Sequence, residues 1–169
     1  MNTKSIRTFF RAALIASVVG AGSFSVADEA SDDLQAGIDA FNRGDLPGAM
    51  TLYEKAAEAG SPEAQVRLAY LLDYAENNEK AVHWYSAAAD HGYPEGIAGL
   101  ASMNAKGEGV AQDRKKAREL YEKAGEAGHA GAIRVLISAY EKGGLDVQKD
   151  ATQAAYWKDK QSSLGGNGY

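Results

Sequence analysis

Four times this chain sets down an alanine, two further residues, a bulky apolar residue and then, eleven residues after the alanine, a glycine. The alanines are Ala49, Ala81, Ala117 and Ala154, spaced by 32, 36 and 37 residues; the bulky partners are Leu52, Trp84, Leu120 and Trp157, and the glycines are Gly60, Gly92, Gly128 and Gly165. A period in this range belongs to stacked helix pairs, in which each unit leaves an apolar face that only its neighbour can cover. Such a chain is confined to a linear stack. Its function is then to be sought on an extended surface before an enclosed active site.

Within each period the apolar residues recur at helical spacing between turn residues, so each unit reads as two helices. In the second unit Ala64, Leu68, Leu71 and Leu72 form one face, and Ala81, Trp84, Tyr85 and Ala88 form another, with Asn77 and Asn78 between them. In the third, Ile97, Leu100, Ala101 and Met103 precede the break Lys106-Gly107-Glu108-Gly109-Val110, and Ala117, Leu120, Tyr121 and Ala124 follow it. Val66, Leu72 and Leu100 are expected between neighbouring units. Asp45, Asn78, Asp113 and Asp150 stand where a side chain can accept from the free N–H groups of a first turn. Gly60, Gly92 and Gly128 suit the left-handed residue that closes a helix, and Pro62 and Pro94 suit a first helical position. The recurring alanines, with Ala56, Ala88 and Ala124 two turns further on, let two helices cross closely.

The first 27 residues depart from this pattern. Lys4, Arg7 and Arg11 make a basic start, residues 12–21 an apolar run, and Ser25-Val26-Ala27 a small-residue cleavage site, which together predict a secretory signal over residues 1–27. The run, interrupted at Gly20 and Gly22, falls short of a membrane span. Export predicts a periplasmic protein, or alternatively a secreted one. The expected organisation is a signal over 1–27, a repeat domain over 28–163 in units of about 31–60, 61–92, 93–128 and 129–163, and a flexible tail over 164–169. Lys and Arg total 18 against 23 Asp and Glu, a net charge of −5, which becomes −8 without the three basic residues of the signal. With no Lys/Arg cluster large enough to segregate charge locally, that balance argues against nucleic acid as a partner. No cysteine is present, so stability rests on core burial.

Leu100-Ala101, the run from Lys106 to Ala117 (KGEGVAQDRKKA), Leu120-Tyr121-Glu122-Lys123-Ala124 and Gly128-His129-Ala130 together resemble a Sel1-like repeat, a relative of the tetratricopeptide repeat. The second and fourth units resemble it well, although the second has Tyr74-Ala75-Glu76-Asn77-Asn78 in place of the Gly-x-Gly-Val loop; the first, with Gly44-Asp45-Leu46, is nearer an ordinary tetratricopeptide turn. The resemblance covers nearly all of the chain after the signal. It implies an all-α fold, a right-handed superhelical solenoid of about four antiparallel helix-turn-helix repeats. It also implies a scaffold or regulator acting on protein or peptide partners, with the first helix of each unit on the concave face.

No constellation of catalytic type accompanies the repeats. His83, His91 and His129 lack the spacing of metal ligands and read as surface or capping residues. Glu54, Glu58, Glu122 and Glu126 read as a solvated face, and Gly107-Glu108-Gly109 as a repeat loop and not a phosphate cradle. No catalytic, cofactor-binding or metal residue is therefore assigned. Tyr53, Tyr85 and Tyr121, like Trp84 and Trp157, recur in register and read as packing between helices.

Tyr70 and Tyr74 do not recur. With Arg67 and Asp73 beside them, and Lys106, Arg134, Ser138 and Glu141 on later first helices, they are the candidate partner contacts, because aromatic and Arg side chains dominate binding hot spots. The leading expectation is a non-catalytic periplasmic adaptor. An inhibitor of a membrane sensor would use the same groove. A cell-wall or β-lactam-acting enzyme is the third possibility, and the relatives that suggest it are cysteine-rich, unlike this chain.

Overall fold

The computed structural model describes residues 26–165. The signal expected over 1–27 lies outside them except for Val26 and Ala27, which begin the first helix, and so do residues 166–169 of the expected tail. Eight helices follow one another: α1 (Val26–Asn42), α2 (Leu46–Glu58), α3 (Pro62–Tyr74), α4 (Asn78–Asp90), α5 (Pro94–Lys106), α6 (Arg114–Glu126), α7 (Ala130–Lys142) and α8 (Ala151–Gly165). Each packs on its neighbours in the chain, and α3 also touches α5. The result is four helix hairpins stacked in sequence order. Among the described residues there is no strand, only an isolated bridge between Gly144 and Val147.

The recurring small residues make this stacking possible. Ala49, Ala81 and Ala117 have no exposed surface and Ala154 is buried, as the hairpin crossing requires. Ala56, Ala88 and Ala124 are equally buried and have a further task at the joint with the next unit. Their carbonyls accept from Ser61, Tyr93 and His129 at 3.0, 3.1 and 2.9 Å, across glycines held at φ +91°, +74° and +89°. This six-to-one closure turns the chain from one hairpin into the next. Gly165 does not repeat it: α8 continues through Leu164 and Gly165, two residues into the segment expected as tail.

Asp45 accepts from Gly48 N at 3.0 Å, Asp113 from Lys116 N at 2.8 Å, and Asp150 from Thr152 N and Gln153 N at 2.9 and 3.0 Å. Ser61 and His129 cap α3 and α7 in the same way, at 3.3 and 2.9 Å. Asn78 does not cap; it is the first residue of α4, and Asn77 before it makes no side-chain cap bond. The turn there is held by Asn77 N bonding to Leu72 O at 2.8 Å, with Glu76 at φ +59° where the other units have glycine. Because a left-handed conformation costs a residue with a Cβ about 1–2 kcal/mol, Glu76→Gly is expected to stabilise the protein by up to about 1 kcal/mol once the greater freedom of the unfolded glycine is subtracted. Urea unfolding measures this directly, and a lower midpoint would contradict it.

The core has two parts. One gathers Tyr53, Leu68, Leu71, Leu72, Tyr85 and Met103; the other gathers Ile97, Tyr121, Ile133, Leu136, Tyr140 and Trp157. Leu100, half-buried, packs against both. Val66 is likewise half-buried: it packs against the first part and also faces the concave side. The Gly107–Gly109 loop packs back onto the preceding hairpin: Gly109, at φ +69°, lies so close that a Cβ there would sit 2.4 Å from Asn78 O. Glu122 and Glu126 do more than face solvent. Glu122 accepts from Tyr140 Oη at 2.8 Å, and Glu126 from Tyr156 Oη at 2.5 Å and from Lys160, tying α6 to α7 and α8.

Candidate functional site: the concave groove

A groove of about 710 Å³ runs along the concave side, lined chiefly by the first helices α3, α5 and α7. Its wall on α3 carries Glu63, Val66, Arg67, Tyr70 and Leu71; α5 and the turn before it contribute Tyr93, Glu95, Ala98 and Gly99; α7 and its cap contribute His129, Gly131, Ala132 and Val135. That volume lies within the range of sites that hold small ligands or short peptide segments.

The floor comes from the second helices. Tyr53, Tyr85 and Tyr121, 1%, 7% and 8% exposed, pack between helices as their recurrence predicts and also line the groove. They reach it past glycines: a Cβ at Gly37 would meet the Tyr53 ring at 2.7 Å, and one at Gly99 the Tyr85 ring at 2.3 Å. Burial pushes the Tyr85 hydroxyl up to about 12, with the Asp73 carboxylate and Tyr70 adding to it. Burial likewise raises Tyr53, Tyr93 and Tyr121; Arg67 opposes the shift at Tyr53, Glu95 and Glu63 reinforce it at Tyr93, and Ser102 opposes it at Tyr121. These tyrosines are thus neutral phenols at neutral pH, offering flat apolar rings and hydroxyl groups.

Arg67 donates to Glu63 Oε1 twice, from Nε at 3.0 Å and Nη2 at 2.7 Å. Burial alone would lower its pKa, but the Glu63 hydrogen bonds outweigh that and hold the guanidinium charged. It also lies beside the Tyr53 hydroxyl without completing a hydrogen bond, so the Tyr53 hydroxyl is buried and unpartnered. His129 Nδ1 accepts from Ala132 N at 2.9 Å, capping the first turn of α7.

Of the eight candidate contacts, Arg67 and Tyr70 line the groove, and Tyr70 is 57% exposed there. Tyr74, 78% exposed, follows one turn along α3 beyond the lining. Asp73 is half-buried close enough to act on Tyr85 and Lys106. Lys106 pairs with Glu108 at 2.9 Å, and Glu141 pairs with Lys158 on α8, so both are already engaged. Arg134 and Ser138 lie on α7, where Val135 is the residue that enters the lining. Phe41, Glu63, Tyr93 and Glu95 were not legible as contacts. Gly37 and Gly99 were the available signal, since glycine inside a helical pattern marks a close approach.

The Sel1 repeat matches the chain four times, over residues 37–61, 62–93, 94–129 and 138–157. The chain belongs to the Sel1 repeat family. A crystal structure of a Sel1 repeat protein from Oxalobacter formigenes is similar over 79% of this chain and 58% of that one, with TM-score 0.70 and 27% identity. A protective antigen of uropathogenic Escherichia coli with an SLR fold matches over 80% of this chain and 31% of its own, with TM-score 0.69 and 28% identity. An uncharacterized protein of Neisseria meningitidis serogroup B is 40% identical over 90 residues, which are 51% of this chain and 19% of that protein. The chain thus spans about a fifth of that curated relative. The all-α repeat solenoid expected from the sequence is the fold observed. Sel1 repeats generally mediate contacts between proteins. Among the described residues no group of three or more His, Cys, Asp or Glu is placed to hold a metal ion, and no helix is long and apolar enough to cross a membrane.

Proposed function

We propose that this Sel1 repeat protein is a non-catalytic periplasmic adaptor that holds a segment of a partner protein in its concave groove. The observation that carries the reading is the groove itself, where Tyr70 and Arg67 stand over a floor of Tyr53, Tyr85 and Tyr121. Large flat rings and a guanidinium are the groups that concentrate binding energy when a partner excludes water from them. The periplasmic assignment is supported by the basic, apolar and small-residue sequence of the first 27 residues.

The test is to capture partners from an envelope fraction with the full chain and to repeat the capture with Tyr70→Ala. Tyr70 is exposed, so its removal is expected to leave the thermal melt within a degree or two and to weaken binding of the identified partner by about tenfold. A lowered melt would place Tyr70 in the core instead, and unchanged binding would remove the groove from the function. Fractionation of expressing cells checks the compartment, with a mature mass beginning at Asp28 as the expected result.

A further inference from the structure

The charge in the groove is unbalanced at one end. Glu63 and Arg67 cancel each other, and His129 is engaged through Nδ1 in capping α7. Glu95 remains, exposed in the lining and without an ion pair among the described residues. Glu63, Tyr93 and Glu95 share the lining, and the two carboxylates both act on Tyr93, with Arg67 opposing them. Tyr53, almost wholly buried in the same lining, has a hydroxyl with no hydrogen-bond partner. An acidic segment would be repelled here, and an apolar one would strip water from Glu95 with nothing in return.

We infer that the groove takes a partner segment carrying a basic side chain, lysine or arginine, with the cation seated between Glu95, Glu63 and the face of Tyr93. This rests on the groove being the binding surface. The tyrosine rings attract a cation through their quadrupole, and the carboxylates supply its counter-charge. The cation competes with Arg67 for Glu63. The net charge of −5 over the whole chain draws such a segment in at long range.

The experiment is selection of a displayed library of random short peptides on the full chain, followed by titration of a selected peptide made synthetically. Lysine or arginine is expected at one position of most selected sequences, and affinity should fall with ionic strength. Replacing that residue by norleucine, or Glu95 by Lys, is expected to weaken binding by about tenfold. Glu95 is exposed, and an unchanged circular dichroism melt shows that its variant is folded. Selected peptides without basic residues that nonetheless lose affinity for Tyr70→Ala overturn this inference and leave the groove reading standing. A basic peptide indifferent to Glu95→Lys also overturns it. Peptides indifferent to Tyr70→Ala, or no selection at all, overturn both.

Discussion

Trp157→Ala is expected to destabilise the protein by about 3–5 kcal/mol, the usual cost of deleting a buried large aromatic side chain. Trp157 is 3% exposed, and its ring seats on Gly125 of α6, where a Cβ would lie 2.8 Å from Cζ3. Around it in the second part of the core are Ala132, Ile133 and Leu136, none with exposed surface. Among the described residues α8 packs chiefly on α7, so the loss falls on the contacts that seat α8. The indole Nε1 is buried without a partner. Trp157→Phe should therefore cost clearly less than alanine, since it keeps a ring and removes an unmet donor. Urea unfolding followed by circular dichroism checks both variants; alanine and phenylalanine equally damaging would show that ring packing is not what holds α8.

Gly109→Ala is expected to cost about 2–4 kcal/mol, combining the left-handed conformation with overpacking. The overpacking cannot relax easily, because the neighbours at 2.4 and 2.5 Å are the carbonyl oxygen and carbon of Asn78 and not the tip of a side chain. Gly60→Ala is the matched control: φ is +91°, yet nothing lies within 4 Å of the added Cβ, so only the conformational cost of about 1–2 kcal/mol applies. The difference between the two melting shifts isolates the contact between loop and hairpin. Equal shifts would mean that the loop moves away from α4 at no cost.

The fold was legible because its determinants are local and periodic. Alanine at a crossing, glycine at a helix end and Asp, Ser or His at a cap each act within one turn of the residues they affect, and repetition multiplies the signal. The turn at Glu76 escaped that reading because its glycine is missing and a backbone bond to Leu72 does the closing. The groove was legible only on its rim. Tyr70 stood out by not recurring and Arg67 by standing beside it, whereas the tyrosines of the floor recur and so read as packing alone. Tyr53 and Tyr85 seat their rings against Gly37 and Gly99, which belong to other helices, and such pairings have no local signature.

The boundary between the two parts of the core runs beneath the groove. Tyr53, Leu71 and Tyr85 belong to one part, Tyr121 and Ala132 to the other, and Leu100 is shared between them at the α4–α5 joint. A segment lying along the groove would grip both parts at once, acting as a splint across the α4–α5 joint. Occupancy should then slow amide exchange along α4 and α5, on the convex side as well as beneath the ligand; exchange slowed only at the contact would speak against it. By this means the convex surface would register that the groove is full.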